Sequence, residues 1–297
     1  NNVMTKVNED YPGKAPMSDA ELKAQAINQS YAANKAKSNQ KNENKPSKYP
    51  TEVVDLPSQG LIYPEDNPLS EGKIELKYMT AKEEDILTSQ NLIKKGLVID
   101  KLLRSLIVSP INYNDLLVGD KNAILVAARI LGYGQDYTFK FTNPNTREEE
   151  NVTVDLTNSN DKEIDESLVV AGKNEFEFTL PSSKIPVTFK FLTQGDENAI
   201  ANELKGLKKI NKGSSSELTT RMKYLITSVN GDYGKKAVRE FVDGNFLARD
   251  ARALRDHISK SMPDIDLTYD VEFEDGTVAE NVTLPIGINF FWPDAAI

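Results

Sequence analysis

The chain has 297 residues and carries 36 Lys and Arg against 45 Asp and Glu, a formal charge of −9 at pH 7 with a pI near 4.9. That length suits two domains of ordinary size, about 100–150 residues each, and the acidic balance argues against nucleic acid as a partner, since phosphate backbones call for a basic surface. With no cysteine and one histidine, His257, the chain lacks the material for disulfides, thiolate zinc sites, iron–sulfur clusters, cysteine nucleophiles and His-rich metal centres.

Residues 1–50 are poor in Leu, Ile, Val and Phe and rich in Asn, Lys, Ser and Ala, so they cannot build a core alone. They hold eight Lys against five acids, a surplus of three, which leaves −12 on residues 51–297. Inside this arm Ser18 and Glu21 have capping-box spacing, and Ala20, Ala24, Ile27 and Tyr31 follow at helical intervals. The expectation is an arm that is flexible or ordered by a partner, with Leu22, Ile27 and Tyr31 as its contact residues. No run approaches the ~18–20 apolar residues of a membrane span, so no membrane association and a cytosolic setting are expected.

From residue 51 onward the sequence reads as two copies of one recipe, residues 51–160 and 161–297, each an α+β module. Leu56-Pro57-Ser58 is echoed by Leu180-Pro181-Ser182, and Asp120 by Asp250, with an offset that drifts from 113 to 132 residues along the chain but preserves element order. Each copy opens with an alternating strand, Ile74, Leu76 and Tyr78 or Val187, Phe189 and Phe191. A Thr N-cap with an acid three residues on follows, Thr80 with Glu83 and Thr193 with Asp196. A second amphipathic helix uses Val98, Leu102, Leu103, Leu106 and Ile107, or Leu218, Met222, Leu225 and Ile226 with a stop near Asn230-Gly231. The third helix is expected from Asp120 to Leu131 with Gly132 as its stop, and from about Ala248 to Met262. A hairpin ends each copy, turning through Asn143–Arg147 or through Glu274-Asp275-Gly276. Strands at both ends of a helical middle indicate α+β domains rather than a doubly wound nucleotide fold.

Candidate chemistry is sparse. Gly132-Tyr133-Gly134 follows a helix instead of opening one, the reverse of a phosphate-binding loop, and the acidic clusters at Glu148–Glu150, Asp264 with Asp266, and Glu272 with Glu274 and Asp275 lack EF-hand spacing. No catalytic, cofactor-binding or metal-ligating residue is therefore assigned. His257 is read as a packed or half-exposed ring. Arg249 and Arg252, on the last long helix, are read as candidate anchors for a partner, because the guanidinium fork suits carboxylates. The last ten residues hold Phe290-Phe291-Trp292, where most termini are polar. Phe290 is assigned to the core, and Phe291 with Trp292 to an interface.

Several stretches, Leu56-Pro-Ser-Gln-Gly60 with Tyr63-Pro64, Met79 to Leu87, Leu247 to Leu254, Pro263 to Asp266, and above all Pro285-Ile-Gly-Ile-Asn-Phe-Phe-Trp-Pro293, resemble the baseplate hub assembly family of T-even-like contractile-tailed bacteriophages. The likeness spans residues 51–297. Members of that family often carry CxxC pairs at the hairpin tips, whereas this chain has Asn143–Thr146 and Glu274–Gly276 there, so turn chemistry must close both hairpins without a zinc staple. The resemblance implies an assembly factor for the baseplate hub with no enzymatic activity and no cofactor. Its partners would be other phage tail and baseplate proteins, including the tape-measure protein, met in the host cytoplasm during assembly; oligomerisation is left open. A permanent virion subunit is the structural alternative, and a hydrolase using Glu272 or Asp266 the least favoured one.

Overall fold

The computed structural model describes residues 50–291, apart from 163, 213–215 and 285, together with residue 29. The arm residues Leu22, Ile27 and Tyr31, and Trp292, lie outside the described residues. The first half runs β1 (Thr51–Asp55), β2 (Lys73–Lys77), α1 (Ala81–Leu87), α2 (Gln90–Lys95), α3 (Val98–Leu106), α4 (Val118–Tyr133), β3 (Asp136–Thr142) and β4 (Glu149–Asp155). After β5 (Asp161–Lys162), the second half runs β6 (Phe176–Thr179), β7 (Pro186–Phe189), α5 (Gln194–Ile210), α6 (Glu217–Leu225), β8 (Ile226–Val229), α7 (Lys235–Gly244) and α8 (Ala248–Ser261). It closes with β9 (Asp264–Ile265), β10 (Thr268–Glu272), β11 (Val278–Thr283) and α9 (Ile288–Phe291). The fold is α+β: helices pack among small antiparallel sheets, as the sequence pattern implies.

Local geometry recurs between the halves. Val54 faces Ile74 across β1–β2, and Phe178 faces Val187 across β6–β7. Thr80 and Thr193 each complete a capping box, with Glu83 and Asp196 reaching back to the cap amide. The same two acids pair with a lysine at or just past the end of the preceding strand, Lys77 at 2.5 Å and Lys190 at 2.8 Å. Leu117 and Leu247, which precede α4 and α8, have nearly the same backbone angles, φ −63 and ψ 143 against φ −62 and ψ 141.

One buried apolar cluster draws on both halves, from Leu56, Leu76 and Leu102 through Ile124 and Leu125 to Phe189, Ile200, Leu254 and Phe291. Helix α4 sits at its centre, with Ala123, Ile124, Leu125, Val126 and Ala128 all buried, as expected of a helix apolar nearly all round. Two-residue strands β5 and β9 pair with each other, and α4 of the first half packs on β9. A second, smaller cluster, Val152, Val271, Phe273 and Val282, packs the β3–β4 hairpin against β10–β11.

Three details differ from the sequence expectation. Helix α4 runs past Gly132 to Tyr133, and Gly134, at φ 87, is its stop; Gly132 instead makes room for the Met79 side chain. Asn230-Gly231, at φ 50 and 78, closes the end of strand β8 rather than a helix. Helix α7 was not foreseen, although Val238, Phe241 and Val242 are buried at helical spacing.

Close approach of α4 to the strand that follows α8 gives a direct test. A Cβ at Gly119 would collide with the Pro263 carbonyl, while one at Gly206, within α5, would meet open space. Gly119→Ala is expected to destabilise the protein by about 1–3 kcal/mol through overpacking against backbone, and Gly206→Ala to stabilise it by about 0.5–1 kcal/mol. Chemical denaturation of the two variants checks both signs.

Candidate functional site

The polar groups that the fold buries are used to hold its turns. Asp120 lies at the third position of α4 and is fully buried. Its carboxylate accepts from the Ser58 amide at 2.9 Å, the Ser58 hydroxyl at 2.6 Å and the Tyr63 hydroxyl at 2.6 Å. The same Tyr63 oxygen accepts from the Leu117 amide at 2.9 Å, so strand exit, loop and helix start share one network. Asp250 occupies the equivalent place in α8 and accepts from the Ser182 and Ser183 amides at 2.7 and 3.0 Å.

The two carboxylates titrate in opposite directions. Burial is the largest influence on Asp120 and pushes it up to about 6 against the pull of its donors. Burial also works against the charge on Asp250, but the Ser183 and Ser182 groups outweigh it and hold that carboxyl below its usual range. Glu83 behaves like Asp250: burial opposes its charge, yet donors from Lys77, Thr80 and Ser105 bring it down to about 2.

Arg129, which sequence reasoning passed over, is 4% exposed and has no carboxylate partner among the described residues. Its guanidinium donates to three backbone carbonyls, Phe290 at 2.9 Å, Gly134 at 2.9 Å and Asp136 at 3.1 Å. Burial lowers its affinity for its proton without removing the charge. The carbonyl bonds tie the end of α4 and the start of β3 to α9, and the Phe290 ring stands edge-on to Tyr137 with centroids 5.0 Å apart. An arginine inside the apolar run Ala123–Leu131 was the available signal.

The hairpin tips hold one another. Asn143, fully buried, donates to Glu150 at 2.9 Å, and Glu150 accepts from the Glu274 amide of the other hairpin at 3.2 Å. Asn145 donates to Asp275 at 3.2 Å, and Phe141 stacks on Phe273 with centroids 6.2 Å apart. Hydrogen bonds from Thr277, then Asn145, hold Asp275 at about 2. Turn residues thus join the hairpins as well as closing each one.

The predicted interface residues divide. Arg249 and Arg252 are exposed, and neither forms an ion pair among the described residues. Phe291, expected at an interface, is instead 0% exposed inside the chain's own core, because Arg129 and α4 draw α9 inward. Phe290 is buried beside it. His257 stacks on Phe178 at 4.6 Å and is half-buried, with burial lowering its pKa. Asp266 accepts from the Thr268 amide and hydroxyl, and Glu272 is exposed on β10. Among the described residues no group of three or more His, Asp or Glu could hold a metal ion, and no helix is long and apolar enough to cross a membrane.

These side chains spend their hydrogen bonds on turns, helix starts and α9. Residues 51–292 match the family described as T4 bacteriophage base plate protein, and the chain belongs to that family. No curated protein matches the chain, and no solved structure matches it.

Two buried acids yield opposite pH signatures. For Glu83 the folded-state value lies below its ordinary 4.5, so its stabilisation is present above that pH and is lost as pH falls toward about 2. Glu83→Gln should therefore cost most near neutrality, and the deficit should shrink on acidification below about pH 4.5. For Asp120 the folded-state value is raised from 3.8, so the native state keeps a proton the unfolded chain has released, and this group favours folding more as pH falls from about 6 to 4. Asp120→Asn should cost about 1–3 kcal/mol at neutral pH, where it leaves donors without their carboxylate, and the deficit should widen on going to pH 4. Urea titrations of both variants across pH provide the measurement.

Proposed function

We propose that this base plate protein is a hub assembly factor of a T-even-like contractile-tailed phage, acting through protein contacts without chemistry, and that tail proteins including the tape-measure protein are its partners. The observation that carries the reading is the family match over residues 51–292. The commitment of Asp120, Asp250, Glu83 and Arg129 to structural hydrogen bonds supports a role as scaffold rather than catalyst. Two modules descended from a duplicated unit fit the paired capping boxes, the paired lysine–acid bridges and the matching Asp120 and Asp250 sites. Binding one assembly intermediate better than another would shift which one persists by mass action alone. The chain would act in the host cytoplasm during assembly.

A second reading, a permanent subunit of the virion base plate, is favoured by the family's description as a base plate protein. Mass spectrometry of purified virions separates the two: the assembly factor is absent or far below stoichiometry, and the subunit is present at a fixed ratio. Failure of any tail or base plate protein to co-purify with the chain from infected cells would overturn both.

On this reading Arg249 and Arg252 offer bidentate donors to a partner's carboxylates. Reversing both, as Arg249→Glu with Arg252→Glu, is expected to leave folding stability within about 0.5 kcal/mol, as for surface changes without local partners, and to reduce recovery of base plate proteins in pull-downs at least tenfold, the effect of losing about 1.4 kcal/mol. Unchanged recovery would remove these arginines from the interface.

A further inference from the structure

The second-half sheet has the order β6-β7-β8, so β6 is an edge strand. Leu180 donates its amide to the Ile185 carbonyl, while the Pro186 carbonyl accepts from Asn230 on the β8 side. Strand alternation then turns the backbone groups of Phe176 and Phe178 toward β7 and those of Glu177 and Thr179 outward. Among the described residues no backbone hydrogen bond reaches those outward amides. A cleft of about 690 Å³ runs along this edge, within the ~300–1,000 Å³ typical of ligand-holding clefts. Its walls come from both faces of β6, with Phe178, His257 and Phe189 of β7 on one side and Glu177 and Tyr233 on the other, so the space wraps around the edge strand. The loop carrying Leu168, 54% exposed, forms the outer wall. An unpaired edge beside an aromatic cleft is the geometry of strand addition.

Charge and pattern select an occupant. Asp165, Glu175 and Glu177 against Lys173 make the cleft acidic, whereas residues 1–50 carry a surplus of three positive charges. In the arm, Val3, Thr5 and Val7 alternate with Met4 and Lys6, the period of a strand with β-branched residues on one face. A flexible chain as long as the span from Asn8 to Tyr49 has a root-mean-square reach of roughly 32–39 Å. The loop that walls the cleft continues to Gly172, which donates its amide to the Leu61 carbonyl of the first half.

We propose that Val3–Val7 of the chain's own arm adds as a strand to the outer edge of β6, with Lys6 opposite Glu177 and with Thr5 and Val7 on the aromatic side. The added strand satisfies the Glu177 and Thr179 amides, and a partner reaches the cleft only by displacing it. The inference stands apart from the hub-assembly reading, because it concerns where the arm lies in the isolated chain.

The absence of cysteine makes the test clean. In the full-length chain, Lys6→Cys with Glu177→Cys should form an intrachain disulfide under mild oxidation, mapped by peptide mass spectrometry, while a control pair, Lys6→Cys with the exposed Glu280→Cys, should not. A disulfide-linked dimer in place of the intrachain product assigns the cleft to the arm of a second copy and overturns docking within one chain. No disulfide, or equal yield from the control pair, overturns the strand altogether. Hydrogen exchange adds a readout that needs no cysteine: the Glu177 and Thr179 amides should be protected, and Met4→Pro, which removes a ladder donor, should speed their exchange at least tenfold. Exchange at the unprotected rate in the unaltered chain also overturns the proposal.

Discussion

The structure depends on a carboxylate placed where water cannot reach it. Asp120 at the start of α4 must be satisfied by protein donors, since leaving it unpaired in the interior would cost several kcal/mol. The donors come from the Leu56-Pro57-Ser58 turn and from Tyr63, so satisfying one side chain fixes where the chain leaves β1, how the loop folds back and where the central helix begins. The helix N-terminus adds a favourable field for the negative charge. Once α4 is anchored, its apolar sides collect α3, β2 and the second-half elements into one core.

Asp250 solves the equivalent problem with the amides and hydroxyls of Ser182 and Ser183, and its titration turns the other way. Amide donors are fixed by the turn and favour the ionised form steadily. At Asp120 burial outweighs the Ser58 and Tyr63 donors and the nearby Asp161 charge raises the carboxyl further, whereas at Asp250 the serine donors prevail. Two sites with the same backbone entry thus differ in electrostatics through the balance between burial and donors.

Much of the architecture was legible in the sequence because it is local. Alternation at Ile74, Leu76 and at Val187, Phe189, together with the Thr80 and Thr193 caps, encodes strand and helix boundaries within a few residues, and the structure places both capping boxes where the spacing puts them. What escaped was non-local or too short to have a period. Strands β5 and β9 have two residues each, and pairing Asp161 with Ile265 follows from packing rather than pattern. Arg129 reads as an interruption of an apolar helix until the carbonyls of Gly134, Asp136 and Phe290 are brought around it. Phe291 looked like an interface anchor because composition alone cannot say whether an aromatic terminus turns inward; the Arg129 bond to the neighbouring carbonyl decides it.

A protein without cysteine or a metal-ligating cluster among its described residues must join its halves by packing and hydrogen bonds. At the hairpin tips Asn143, Asn145, Glu150 and Asp275 do this on top of the small Val152, Val271, Phe273 and Val282 cluster. The cluster supplies most of the attraction, since burial of apolar area outweighs exposed polar pairs, each contributing about 1 kcal/mol or less. The polar bonds supply direction, because an Asn–Asp pair tolerates little displacement before its geometry fails. A seam of this kind opens and recloses without oxidant, reductant or free metal.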